Sequence, residues 1–159
     1  MTPDAAGSRD AAGSPELAGS PGAAPAGYSG TPLWKKLGLK PGTRAQVLHA
    51  DAGWSIPLDG GPGAIDWLAP SAEEPADLIL AFYREAADFV DELDALGARI
   101  RPSGMLWVAW PRKAAGHASD IDENLIRNTA LERGLVDVKV AAADTDWSAL
   151  KLVWRVTNR

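Results

Sequence analysis

The sequence predicts an α/β fold: a three-layer arrangement with a mostly parallel sheet, helices on both faces and a C-terminal antiparallel hairpin. Three observations predict it. Two continuous apolar runs, Asp77-Leu78-Ile79-Leu80-Ala81-Phe82 and Met105-Leu106-Trp107-Val108-Ala109-Trp110, read as strands buried on both faces, as parallel strands are. A segment with helical periodicity follows each of them. Two further apolar segments, 135–141 and 147–156, are joined by a link too short for a crossover, so they pair antiparallel.

Each element has a local reason. Thr31 can cap a short helix and Pro32 suits its first position, where a missing N–H costs nothing. Leu33 and Leu37 share one face of it, and Gly38 suits its exit. Lys40-Pro41-Gly42-Thr43 has the Pro–Gly order of a type II turn, and a strand follows over 44–49. Glycine and proline punctuate 50–63 as a loop, with a brief strand expected near 65–68. Over 84–96, Phe89, Val90, Leu93 and Leu96 form an apolar stripe, while Glu85, Asp88, Asp91, Glu92 and Asp94 face mostly outward; Gly97 ends this helix. Arg101-Pro102-Ser103-Gly104 turns the chain into the strand that Pro111 stops. Residues 112–118 form a loop holding Arg112, Lys113 and His117. Ser119 or Asp120 caps a helix with Ile121, Leu125, Ile126 and Ala130 on its inner face, and Gly134 ends it. In the last strand Leu150, Leu152, Trp154 and Val156 share a face. Trp107, Trp110 and Trp154 are core residues by position.

Composition bounds the function. The chain has 159 residues, a length for one domain whose core needs no staple. It has no cysteine, which excludes a disulfide scaffold, a thiolate metal site, a cysteine nucleophile and an iron–sulfur cluster. Two histidines far apart make no zinc site. The net charge of −5 argues against nucleic acid as the main partner. No apolar run reaches 18 residues, the length that spans a bilayer. Over residues 1–27, 20 are Ala, Gly, Pro or Ser, so this segment reads as a disordered tail and the domain runs from 28 to 159. The tail lacks the pattern of an export signal, and the cytoplasm is the expected location. Charge is uneven: residues 51–94 hold eleven acids against Arg84 alone, while 31–50 carry Lys35, Lys36, Lys40 and Arg44 and no acid.

Leu37-Gly38-Leu39-Lys40-Pro41-Gly42, the Pro–Gly turn at 101–104 and the terminal strand pair resemble Rossmann-like S-adenosylmethionine (SAM)-dependent methyltransferases. That resemblance implies a Rossmann-like, methyltransferase-like fold over 31–159, with SAM as the cofactor. It departs at the loop after the first strand, where His49-Ala50-Asp51-Ala52-Gly53-Trp54 has one glycine in place of two or three. Gly27-Tyr28-Ser29-Gly30-Thr31-Pro32-Leu33, Trp107-Val108-Ala109-Trp110-Pro111-Arg112-Lys113, Asp122-Glu123-Asn124 with Arg127, Val136–Val140 and Trp147-Ser148-Ala149-Leu150 are similar to a bacterial family of unknown function.

In an open α/β sheet, ligands bind beyond the carboxyl ends of the strands. The loops 49–54, 82–84 and 110–116 therefore supply the candidates: His49, Asp51, Gly53, Trp54, Tyr83, Arg112, Lys113 and, from the next helix start, Asp120. His49 and Asp51 share a side if the strand continues through them, an arrangement that tunes an imidazole. Arg112 and Lys113 beside a helix start suit an anion. Trp54 is placed to stack on a ring or a partner, and Tyr28-Ser29-Gly30 to fold over the same region. The first reading is a binding module without catalysis, engaging a small molecule or a protein. The second is a small methyltransferase, with Asp51, the Gly53 backbone and the loop after Phe82 holding SAM, and Lys113 and Asp120 facing the acceptor. The third is a nucleic-acid accessory protein using Lys35, Lys36, Lys40 and Arg44.

Overall fold

The computed structural model describes residues 30–113 and 119–159. The expected tail, the Tyr28 lid and His117 lie outside the described residues. The first helix, α1 (Leu33–Leu37), starts one residue later than expected. Pro32 is itself the cap residue, and its carbonyl accepts the amides of Lys35 and Lys36 at 3.1 Å. Gly42 then sits at φ 85, and Thr43 N–H bonds the Lys40 carbonyl at 3.0 Å. That is the conformation the Pro41–Gly42 pair predicts, since the third turn position needs a positive φ.

Six strands form one sheet: β1 (Arg44–Leu48), β2 (Asp66–Trp67), β3 (Leu78–Phe82), β4 (Met105–Pro111), β5 (Leu135–Ala142) and β6 (Trp147–Trp154). Their order is β2-β1-β3-β4-β6-β5. β1 pairs in parallel with both β2 and β3, and β3 with β4. β6 is antiparallel to β4 on one side and to β5 on the other, so β6 alone is reversed. The hairpin is as expected, but its second strand is not the edge. Burial explains the insertion: Leu150, Leu152 and Trp154 are buried on one face of β6 and Ala149 on the other. β5 leaves Val138 51% and Val140 48% exposed, as an edge strand does. Val156 is not on the β6 face; it lies in a 3₁₀ turn, Val156–Asn158, and is exposed. Pro111 is the last residue of β4 and does not stop the strand before it, because its register partner Trp147 begins β6.

The two longer helices, α2 (Ala86–Arg99) and α3 (Glu123–Glu132), cover one face. Phe89, Leu93 and Leu96 of α2 and Ile126 and Ala130 of α3 share a core with Ile79, Ala81, Leu106, Val108, Leu150 and Leu152. The other face is covered by α1 and by loop residues Trp54, Ile56 and Ile65, over Leu78, Leu80, Phe82, Trp107 and Ala149. Both faces carry helix, but the second layer is one short helix and a loop. Trp107, Trp110 and Trp154 are all buried, as expected.

Gly97 does not end α2. The helix runs two residues further because Gly97 is a contact point: a Cβ there would lie 3.2 Å from Trp154 Cζ2, and the Gly97 carbonyl accepts Trp154 Nε1–H at 2.8 Å. Nor do Ser119 or Asp120 cap α3. Asp122 does, its carboxylate accepting Leu125 N–H at 2.9 Å. Among the described residues, no helix is long and apolar enough to cross a membrane.

Candidate functional site

Strand order reverses between β1 and β3, since the chain leaves β1 for β2 on one side while β3 continues the sheet on the other. The crevice at the carboxyl ends of these two strands is where ligands bind in open α/β sheets. It is built from the loop after β1, the residues after β3 and one turn of α2.

β1 stops at Leu48 because His49 leaves the strand at φ 63, the only positive φ outside glycine among the described residues. Histidine enters this region more readily than most residues, but it carries some strain there. The departure breaks strand alternation, so His49 and Asp51 do not pair with each other as alternation suggests. His49 Nε2 instead lies 2.8 Å from Glu92 Oε1 on α2. The same oxygen accepts the Tyr83 hydroxyl at 2.6 Å. A carboxylate only accepts, so Nε2 donates in this contact, and in the neutral imidazole Nδ1 is the acceptor for an incoming donor. The His49 and Tyr83 rings are 5.4 Å apart. Tyr83 is buried and held by its backbone N–H on the Ala109 carbonyl at 3.0 Å.

The electrostatics follow from these contacts. Burial, then the hydrogen bond and charge of Glu92, push the Tyr83 phenol far above its usual value, so it stays protonated. Burial alone would raise the Glu92 carboxyl. The hydrogen bonds from Tyr83 and His49 outweigh it, and the group titrates below the ordinary glutamate value.

Asp51 has a separate partner. Arg84 Nη2 lies 3.4 Å from both of its carboxylate oxygens, and the Arg84 guanidinium sits 5.0 Å from the centre of the Trp147 ring. Gly53, at φ 83, makes a tight turn in which Trp54 N–H bonds the Asp51 carbonyl at 3.0 Å. Trp54 is not a free stacking platform. Its ring meets Phe82 edge-on at 4.8 Å, Phe82 meets Trp147 at 5.0 Å, and its indole N–H donates to Asp144 at 3.0 Å. The loop after β1 is thereby pinned across the strand ends to the β5–β6 turn.

The other candidates are placed elsewhere. Arg112 bonds the same turn, through its N–H to the Asp146 carbonyl at 2.8 Å and its guanidinium to the Thr145 carbonyl at 3.3 Å. Lys113 is exposed, next to the undescribed residues 114–118. Asp120 accepts Ala86 N–H at 2.7 Å, which satisfies a free amide at the start of α2. Of the basic residues in 31–50, Arg44 is paired with Asp66 and Glu74. Among the described residues, no group of three His, Cys, Asp or Glu side chains is placed to hold a metal ion.

Sequence reasoning missed Glu92 and Arg84. Charge alone points Glu92 outward, yet it lies three residues after Phe89 and one before Leu93, at the border of the apolar stripe. A residue at that border can turn toward the neighbouring strand ends, which was the available signal.

Magnesium protoporphyrin IX methyltransferase from Synechocystis PCC 6803, with bound SAM, has a similar fold. The TM-score is 0.53 at 13% identity, covering 72% of this chain and 71% of that chain. A SAM-dependent methyltransferase from Aquifex aeolicus aligns at TM-score 0.47 and 15% identity, covering 76% of this chain and 86% of that chain. At such identities the likeness is one of fold alone. A comparison with curated proteins gave no match. The family described as "Protein of unknown function (DUF3052)" matches residues 65–156, beginning after the Gly27–Leu33 segment, and the chain belongs to that family.

Proposed function

We propose that this protein is a binding module without catalysis on a methyltransferase scaffold, taking a small hydrogen-bonding ligand between the carboxyl ends of β1 and β3. The observation that carries this reading is the mutual pairing of the polar groups there. Glu92 is held by His49 and Tyr83, and Asp51 by Arg84. His49 Nδ1 and the outer edges of the Asp51–Arg84 pair are the groups that meet a ligand.

The residues do not fit the SAM cradle that the fold resemblance implies. The single glycine of the loop is used for a tight turn, and that turn is tied to the β5–β6 turn through Trp54. Asp66, the acid on β2, is the register partner of Arg44 at the start of β1, so it lies at the amino end of the sheet. The carboxyl end of β2 leads into Leu68-Ala69-Pro70, with no acid for a ribose. One feature favours the second reading, a methyltransferase: a Cβ at Gly53 would meet nothing within 4 Å, and the Asp51 side chain is 62% exposed.

Thermal unfolding with and without excess S-adenosylhomocysteine tests the choice. Ligand at about 100 times its Kd adds roughly 2.7 kcal/mol, which moves the midpoint by several degrees. No shift at millimolar ligand is expected, and a clear upward shift overturns the proposal. Native mass spectrometry of the protein from its own cells tests the positive part. A bound small molecule is expected, and it is lost in His49→Ala.

A further inference from the structure

On the side of the sheet opposite α2 and α3 lie Lys36 of α1, Lys139 of β5 and Lys151 of β6, which no carboxylate balances among the described residues. Lys151 of β6 is the register partner of Trp107 on β4 and of Lys139 on β5, so the three residues form one row across three strands. They share a face. Trp107 is buried under α1, donating its indole N–H to the Leu37 carbonyl at 3.0 Å, and Lys139 Nζ lies 5.8 Å from the centre of the Trp107 ring. The Lys139 ammonium therefore reaches back across β6 toward α1, where Lys36 precedes Leu37. Lys36 and Lys151 are half-buried. Burial first, and the charge of Lys139 second, lower the pKa of both.

This arrangement is costly. Like charges directly opposite on paired strands destabilise a sheet, and half-burial removes water that would screen them. The neighbours supply no relief. α1, β4 and β6 contain no acid. The single acid of β5, Asp137, points to the α3 side and pairs with Arg127 at 3.0 Å. Among the described residues, none of the three lysines has an ion pair. A register shift between Asp137 and Lys139 seats Lys139, and not Val138, opposite Lys151. An unshifted strand would have put an apolar residue there. The irregularity thus adds a cation to the row and leaves Val138 exposed, in the manner of bulges that re-aim a side chain at a site.

We propose that Lys36, Lys139 and Lys151 form a binding site for a small phosphate-bearing ligand, separate from the crevice at β1 and β3. Three flexible ammonium groups suit a multiply charged tetrahedral oxyanion, which they can contact from different sides. Bound phosphate cancels the repulsion that the fold otherwise bears. Of the basic residues in 31–50, Arg44 is tied to Asp66 and Glu74 and adds no free cation for a nucleic-acid backbone.

The test is thermal unfolding and calorimetric titration of the full chain with inorganic pyrophosphate, and separately with a single-stranded oligonucleotide, at two salt concentrations. Pyrophosphate is expected to bind and to raise the midpoint. Lys139→Met and Lys151→Met are each expected to weaken binding about tenfold or more, as the loss of one charge-assisted contact does. Each is also expected to raise the ligand-free midpoint by about 1–4 °C, because repulsion is removed. Lys35→Met, exposed on the same helix, should change neither. The proposal is overturned if pyrophosphate does not bind, if binding survives both substitutions, if both lower the ligand-free midpoint, or if only the oligonucleotide binds.

Discussion

Replacing Tyr83 by Phe removes one hydroxyl and leaves the ring, so it isolates the 2.6 Å bond to Glu92 at the candidate crevice. A hydrogen bond to a charged group contributes about 1.5–3 kcal/mol net. The Glu92 side chain is 41% exposed, so water can replace the lost donor, and Tyr83→Phe should cost only about 1 kcal/mol. Glu92→Ala removes the acceptor from a buried hydroxyl, for about 1–3 kcal/mol, together with an exposed contact to His49 that contributes about 0–1 kcal/mol. If the two side chains act through one bond, the double variant should cost about 1 kcal/mol less than the sum of the singles. Urea unfolding at pH 7 measures all three. Single costs that add within about 0.3 kcal/mol would refute the reasoning. The expected order, Glu92→Ala more harmful than Tyr83→Phe, would also have to hold, because only the first strands a buried polar atom.

Three further outcomes follow from the same geometry. Stability should fall at both ends of the pH range. The Glu92 carboxyl is depressed when folded, so its contribution is whole above its ordinary value of 4.5 and is lost as pH falls below it. The Tyr83 phenol is raised when folded, so its contribution is whole below pH 10.0 and is lost as pH rises; Tyr83→Phe should flatten the alkaline limb of a denaturation series. Gly104→Ala should cost about 3 kcal/mol in urea unfolding, because its Cβ would meet the carbonyl oxygens of Ile100, Ala76 and Asp77 at 2.8, 2.9 and 3.1 Å, none of which can rotate away; a cost under about 0.5 kcal/mol would contradict it. Asp120→Ala should destabilise the ligand-free protein by about 1 kcal/mol, since it leaves Ala86 N–H without its cap; an unchanged ligand-free midpoint would contradict that capping role.

Much of the fold was legible in the chain. The runs at 77–82 and 105–110 are apolar throughout because both faces of β3 and β4 are covered, and that pattern survives any detail of topology. The Pro41–Gly42 turn and the stripe through Phe89, Leu93 and Leu96 are equally local. The site was less legible. The place of His49 at a strand end is readable locally, but its partner is 43 residues away on α2. A sequence window holds Asp51 beside His49 and says nothing of Glu92. Trp54 and Asp144, 90 residues apart, are joined for the same reason.

Periodicity and turn chemistry decided which segments are strands and helices, because those preferences act over a few neighbouring residues. They also decided that the hairpin at the end exists. Whether β6 lies at the edge or inside was settled by packing: a strand that buries Leu150, Leu152 and Trp154 on one side and Ala149 on the other needs neighbours on both. Gly97 was a helix terminator by its own propensity and became a helix interior because Trp154 fills the space its missing side chain leaves. The pairing of His49 with Glu92, and the meeting of Lys36, Lys139 and Lys151 on one face, come from long-range register, including a one-residue shift in β5 that no local preference encodes.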